Sequence, residues 1–285
     1  MITTEDMHLA DGRTLRVYVA EPEATPVVLT VLWHHGTPNV GEPPVPLLPV
    51  AAGLGVRWVS FDRPGYGGST AMPGRTLASV ALDGVEVVDR LGVDRFAVMG
   101  HSGGASHALA TAATLGDRAS GAVLAAPLAP RRAFGPLDWF DGMGAAGDAE
   151  LQAAGRGRAA LERHLAATAF DPEQFTSSDH EALGGPWGWL GTVAERALDG
   201  GLDGMVDDDL ALVDYWACDL ERVSCPVLAL HGERDRIAPV AHSEWITHRL
   251  ADATLWRAPN DGHISILNDA DRALAWLSRR TSTGS

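Results

Sequence analysis

The 285 residues are 46% apolar and carry a formal net charge of −15. That is enough apolar material for one large buried core, with or without an insertion, and a field that disfavours nucleic acid and anionic membranes as partners. All 22 basic residues are arginine, which excludes a Schiff-base lysine, a Ser-Lys dyad and a phosphate-loop lysine.

No apolar run approaches the ~20 residues of a membrane span. The opening MITTEDMHLADG is acidic, without a basic-then-apolar leader. The two cysteines, Cys218 and Cys225, are too few for a disulfide framework. A cytoplasmic chain with reduced thiols is the expectation.

In chain order, TLRVYVA (14–20), PVVLTVLW (26–33) and VRWVSF (56–61) are short Val- and aromatic-rich runs bounded by Gly, Pro or Asp, and predict strands. Thr76 reads as an N-cap, followed by Leu77, Val80, Val87, Val88 and Leu91 at helical spacing. VDRFAVMG (93–100) predicts a strand, GASHALATAATLG (104–116) a small-residue helix, and GAVLAAP (121–127) the next strand. From about 128 to 220 the texture turns helical, Gly/Ala-rich and acidic; residues 131–220 hold 17 Asp or Glu against 6 Arg. A solvated surface explains that balance, and attraction of a cationic substrate is the functional alternative. Strand texture returns at CPVLALHG (225–232) and ATLWRAP (253–259), with helices near 239–250 and 269–280. Strands alternating with helices imply a parallel sheet covered on both faces. The expected organisation is a core of 1–127 and 221–285, with residues 128–220 inserted as a helical lid.

The chemistry centres on VMGHSGGASH. Gly100, Ser102 and Gly104 form G-x-S-x-G between a predicted strand and a predicted helix, the context of a nucleophile elbow. A serine hydroxyl needs a base, and the base an orienting group. Asp235 in HGERDRIAP and His263 in NDGHISI each follow a later strand, so a parallel sheet would project both from the edge that carries Ser102. His263 would take the serine proton and Asp235 would fix its tautomer. Glu233 is the nearest rival for the acid, and Asp261 reads as a turn former. An oxyanion hole would use the backbone N–H of Gly103 and, from the loop WHHGTPN, that of Thr37.

His35, Asn39 and His101 are candidate pocket residues: His35 as a hydrogen-bonding support, His101 as a lining residue, and Asn39 either touching substrate or stabilising a turn. His34 and His107 crowd the same region, but neighbouring strand residues point to opposite faces and chelate poorly together. No metal or organic cofactor is expected. RPGYGGS is a structural loop, lacking the lysine of a phosphate loop. Trp139, Trp187, Trp189 and Trp216 are assigned to packing in the lid.

HGTP, DRPGYGGS (62–69), GHSGG, GERD and DGH, in this order, resemble the α/β-hydrolase superfamily with a cap domain, over nearly the whole chain. The resemblance implies an α/β fold with a mostly parallel eight-stranded sheet, the triad Ser102–Asp235–His263, and the insertion as a cap. The HG-x-P loop also occurs in epoxide hydrolase and haloalkane dehalogenase branches, whose nucleophile is aspartate; serine here argues against their chemistry. The expected activity is hydrolysis of a carboxylic ester, lactone or thioester of a small molecule, apolar or cationic, through an acyl-serine. A proline-iminopeptidase-like aminopeptidase is the alternative enzyme, with an acidic lid to hold a substrate ammonium. Against it stand a less glycine-rich early loop and the absence of tryptophan from the elbow. A perhydrolase side activity and a non-catalytic ligand-binding protein on the same scaffold are the remaining alternatives.

Overall fold

A computed structural model describes residues 1–134 and 139–282. The first strands are β1 (Ile2–His8), β2 (Thr14–Ala20), β3 (Leu29–His34) and β4 (Val56–Phe61), with the short helix α1 (Leu48–Gly53) between the last two. Next come α2 (Leu77–Arg90), β5 (Phe96–His101), α3 (Gly103–Leu115) and β6 (Ala119–Ala125). After a helical stretch follow β7 (Val227–Gly232), α9 (Val240–Arg249), β8 (Ala253–Ala258) and α10 (Ala270–Ser282). The strands form one eight-stranded sheet in the order β1-β2-β4-β3-β5-β6-β7-β8. β1 and β2 pair antiparallel, β2 meets β4 antiparallel, and every other pairing is parallel. The mostly parallel α/β sheet implied by the motifs is therefore present, with an antiparallel hairpin at one edge.

Alternate strand residues feed opposite faces, as the twofold period of a strand requires. Leu32, Val59 and Val98 pack with α2, α3 and α9, while Val31, Trp33, Trp58, Ala97 and Met99 pack with α1 and α10. β3 and β5 are buried along their whole length, as strands covered on both faces must be. Thr76 caps α2 in a reciprocal capping box with Ser79.

Between β6 and β7 the described residues form helices and no strand. They are α4 (Ala145–Gly155), α5 (Arg158–Ala167), α6 (Ser177–Leu183), α7 (Trp189–Leu198) and α8 (Asp203–Val213), with short 3₁₀ turns from Arg131–Ala133 to Leu220–Arg222. Residues 135–138 of the expected lid lie outside the described part. No helix among the described residues is long and apolar enough to cross a membrane.

Candidate active site

Ser102 stands between the end of β5 and the start of α3 with φ 58° and ψ −129°. Its neighbours leave no room for side chains. A Cβ at Gly100 would lie 2.2 Å from the Gly104 carbonyl oxygen, and one at Gly104 would lie 2.1 Å from that of His34. The turn is anchored to β6 by the Ser102 N–H, which donates to the Ala125 carbonyl at 2.9 Å. Because α3 begins at Gly103, that residue's N–H belongs to the first turn and has no intrahelical acceptor. Thr37 reaches the same point: a Cβ at Gly103 would lie 2.6 Å from Thr37 Oγ1, with Leu212 of α8 at 3.4 Å. The Thr37–Pro38 peptide is cis.

Asp235 and His263 meet beyond the ends of β7 and β8. His263 Nδ1–H donates to Asp235 Oδ2 at 2.7 Å, which leaves Nε2 as the acceptor of the neutral ring. Asp235 Oδ1 is fixed by the N–H groups of Ile237 (2.8 Å) and Ala238 (3.0 Å), and His231 Nε2 stands 3.4 Å from Oδ2. Burial opposes charge on Asp235, yet His263 and His231 outweigh it and hold the carboxyl well below its ordinary value. For His263 burial pulls downward and Asp235 prevails, so the imidazole titrates above its ordinary value. The rival Glu233 is exposed and paired with Arg257 at 2.8 Å. Asp261 serves the turn, its carbonyl accepting the Arg234 N–H at 3.0 Å.

His101 links this pair to the elbow. Its ring lies 4.8 Å from that of His263, and its Nε2–H donates to the His263 carbonyl at 2.9 Å. Burial pushes His101 down to about 3, so it is neutral and acts by position. His35 supports the early loop, with Nδ1–H donating to the Gly36 carbonyl at 2.8 Å and Nε2 accepting the Arg63 N–H at 3.1 Å. Asn39 is buried and donates toward the Leu190 carbonyl of α7 at 3.5 Å. His34 Nε2 bonds Thr111 Oγ1 at 3.0 Å and stacks on His107. The RPGYGGS loop wraps a carboxylate of the chain's own: Asp62 accepts from the N–H groups of Gly41 (2.6 Å) and Gly68 (3.0 Å). Both cysteines are free thiols that burial pushes up to about 11, the inert rather than the nucleophilic state.

Two side chains to which the sequence patterns gave no role of their own hold the early loop. Arg63, 1% exposed, donates to the carbonyls of His35 (2.5 Å) and Gly36 (2.9 Å) and to Asp208 of α8 (2.5 Å). Asp208, wholly buried, also accepts from Arg75 (2.6 Å), Thr37 Oγ1 (2.7 Å), Tyr66 (2.9 Å) and His107 (3.4 Å). Burial opposes its charge, and Arg63 and Arg75 hold its carboxyl far below the ordinary value. Arg63 lies within the DRPGYGGS run, whereas the sequence signal for Asp208 was the acidic run 207–209.

Comparison with known proteins bears on the fold. A sequence model described as alpha/beta hydrolase fold matches residues 30–270. A thermophilic esterase from Thermogutta terrifontis superposes with a TM-score of 0.69 at 20% identity, covering 98% of this chain and 99% of that one. The enol-lactonase from Burkholderia xenovorans gives 0.65 at 18% identity, covering 98% of each chain. A bromoperoxidase from Bacillus anthracis gives 0.70 at 16% identity, covering 97% of this chain and 100% of that one. A pimeloyl-[acyl-carrier protein] methyl ester esterase from Aromatoleum aromaticum is 38% identical over 72 residues; the match spans 25% of this chain and 26% of that relative's length.

Proposed function

Since the chain belongs to the alpha/beta hydrolase fold family, we propose that it is a serine hydrolase cleaving a small carboxylic ester, lactone or thioester through an acyl-Ser102 intermediate. His263 Nε2 takes the Ser102 proton as Oγ attacks the carbonyl. The developing oxyanion is met by the N–H groups of Gly103 and Thr37, each such donor contributing roughly 2.7–4 kcal/mol to the transition state. His263 then protonates the leaving group and activates water for deacylation. Asp235 keeps the imidazole in the tautomer that leaves Nε2 unprotonated. Residues 128–220 act as the cap over this site.

One observation carries the reading: the Asp235–His263 pair is seated against the serine elbow through His101, the residue adjoining Ser102. The ester assignment over the aminopeptidase is supported by the use the insertion makes of its acids. Asp208 and Asp179 are filled with internal donors, and Asp207 pairs with Arg158. Such carboxylates are not free to bind a substrate ammonium. The local likeness to a methyl ester esterase favours the same bond type.

The test is substrate turnover. p-Nitrophenyl acetate or butyrate should be hydrolysed and alanyl or prolyl anilides spared, with activity absent from Ser102→Ala. Anilide turnover without ester turnover would replace this reading with the aminopeptidase.

A further inference from the structure

Resting on the reading of His263 as general base, we propose that Asp179 of the insertion is a positioning residue for it, so that seating the base and docking the insertion are one event. Asp179 is 1% exposed. Its Oδ1 accepts the N–H groups of Ile264 (2.8 Å) and Ser265 (2.8 Å) and the Ser265 hydroxyl (2.9 Å). Its Oδ2 accepts the N–H of His263 itself (3.2 Å) and that of Thr176 (3.0 Å). Three consecutive backbone N–H groups, where the chain enters the 3₁₀ turn Ser265–Asp269, form an anion cradle. A side chain from 84 residues upstream fills it.

The fit explains the glycine of the NDGH run. A Cβ at Gly262 would lie 2.1 Å from Asp179 Oδ2 and 2.7 Å from Thr176 Oγ1. Ser178 adds a hydroxyl donated to the Asn260 carbonyl at 3.1 Å. The turn carrying the base is thus shaped around the start of α6.

A purely adhesive contact would do no more than hold the insertion down. Asp179 also presents charge to the imidazole. The titratable groups facing His263 are Asp235 after β7, Asp179 from α6 and neutral His101 from β5. Asp235 and Asp179 both favour the imidazolium. Removing the Asp179 charge therefore lowers the pH at which the base becomes protonated, a change that loosened packing alone does not produce.

The experiment measures kcat and KM for p-nitrophenyl butyrate from pH 5 to 9 on the full chain. It compares Asp179→Asn, Gly262→Ala, which leaves the carboxylate charged but displaced, and Glu42→Gln. The last loosens the insertion elsewhere, where Glu42 accepts from Trp189 and Arg196 of α7. The expected result is a fall in kcat/KM of about 10- to 100-fold in the first two, carried by kcat. Asp179→Asn should also shift the acid limb to lower pH, and Glu42→Gln should leave the limb unmoved. An unmoved limb in Asp179→Asn, or losses equal to those of Glu42→Gln, overturns the proposal.

If Asp179→Asn does not fold, hydrogen exchange on the unaltered protein decides. The amides of 263–265 should lose protection together with α6, and exchange independent of α6 overturns the proposal. Absence of ester turnover and of Ser102 labelling in the unaltered chain would overturn the parent reading as well, whereas the outcomes above overturn this one alone.

Discussion

A methyl at position 100 or 104 would sit at 2.2 or 2.1 Å from a backbone oxygen, so neither glycine of the elbow is replaceable without moving β5 or α3. Gly100→Ala and Gly104→Ala should each lower stability by about 1–3 kcal/mol in chemical denaturation and abolish turnover. Ser102 bears the opposite constraint. Its φ of 58° is a conformation that costs a non-glycine residue about 1–3 kcal/mol, accepted in exchange for exposing the hydroxyl. Ser102→Gly should therefore raise the melting temperature while removing activity; a fall in melting temperature would refute stored strain at this residue. His263, as the proposed base, carries a pH signature. Since Asp235 raises the His263 pKa, kcat/KM should be level at high pH and fall as pH drops through a midpoint above the ordinary ~6.5. Asp235→Asn should lose on the order of 10⁴-fold in kcat.

At the scale of elements, α8 is joined to the loops after β3 and β4 and to α3 by charge as well as by apolar area. Truncating Asp208 to Ala strands Arg63 and Arg75 in the interior, which should cost about 3–5 kcal/mol; urea denaturation measures it. The adjoining Asp209 behaves differently. Burial first, then Glu150 of α4, push its carboxyl well above the ordinary value, and its Oδ2 has no hydrogen-bond partner among the described residues. A raised carboxyl pKa favours the fold below the unfolded value and withdraws that support as pH rises toward the folded one. Asp209→Asn should thus raise the melting temperature at pH 7 and leave it unchanged near pH 3.5.

The elements were legible to different degrees. VRWVSF and TLRVYVA are strands over the predicted residues because their apolar runs are bounded by turn residues. β1 escaped notice because it is an edge strand in which only Met7 is buried, so its acidic, exposed sequence carries no strand texture. α1 was hidden behind Pro44, Pro46 and Pro49, which read as loop yet sit at helix starts.

Across the whole molecule, residues 37, 102, 235 and 263 each follow the carboxyl end of a parallel strand of one sheet, the placement from which the order of motifs after successive strands leads to the proposed site. What the sequence could not disclose is how the insertion attaches. Asp179 meets the 262–265 turn, and Asp208 meets Thr37 across a separation of 171 residues. Such contacts leave no periodic or motif trace, since each acid also reads as a helix cap or a solvated charge. The acidity of residues 131–220 is thereby partly internal: Asp179, Asp207, Asp208 and Asp209 are buried, and Asp179 and Asp208 bind the insertion to the core.

The measurement that bears most directly on the whole account is labelling of the intact protein with a fluorophosphonate, with the modified peptide mapped by mass spectrometry. The account predicts one adduct, on Ser102, absent from Ser102→Ala and strongly slowed in His263→Ala. An adduct on another residue, or none while the fold is intact, would contradict it.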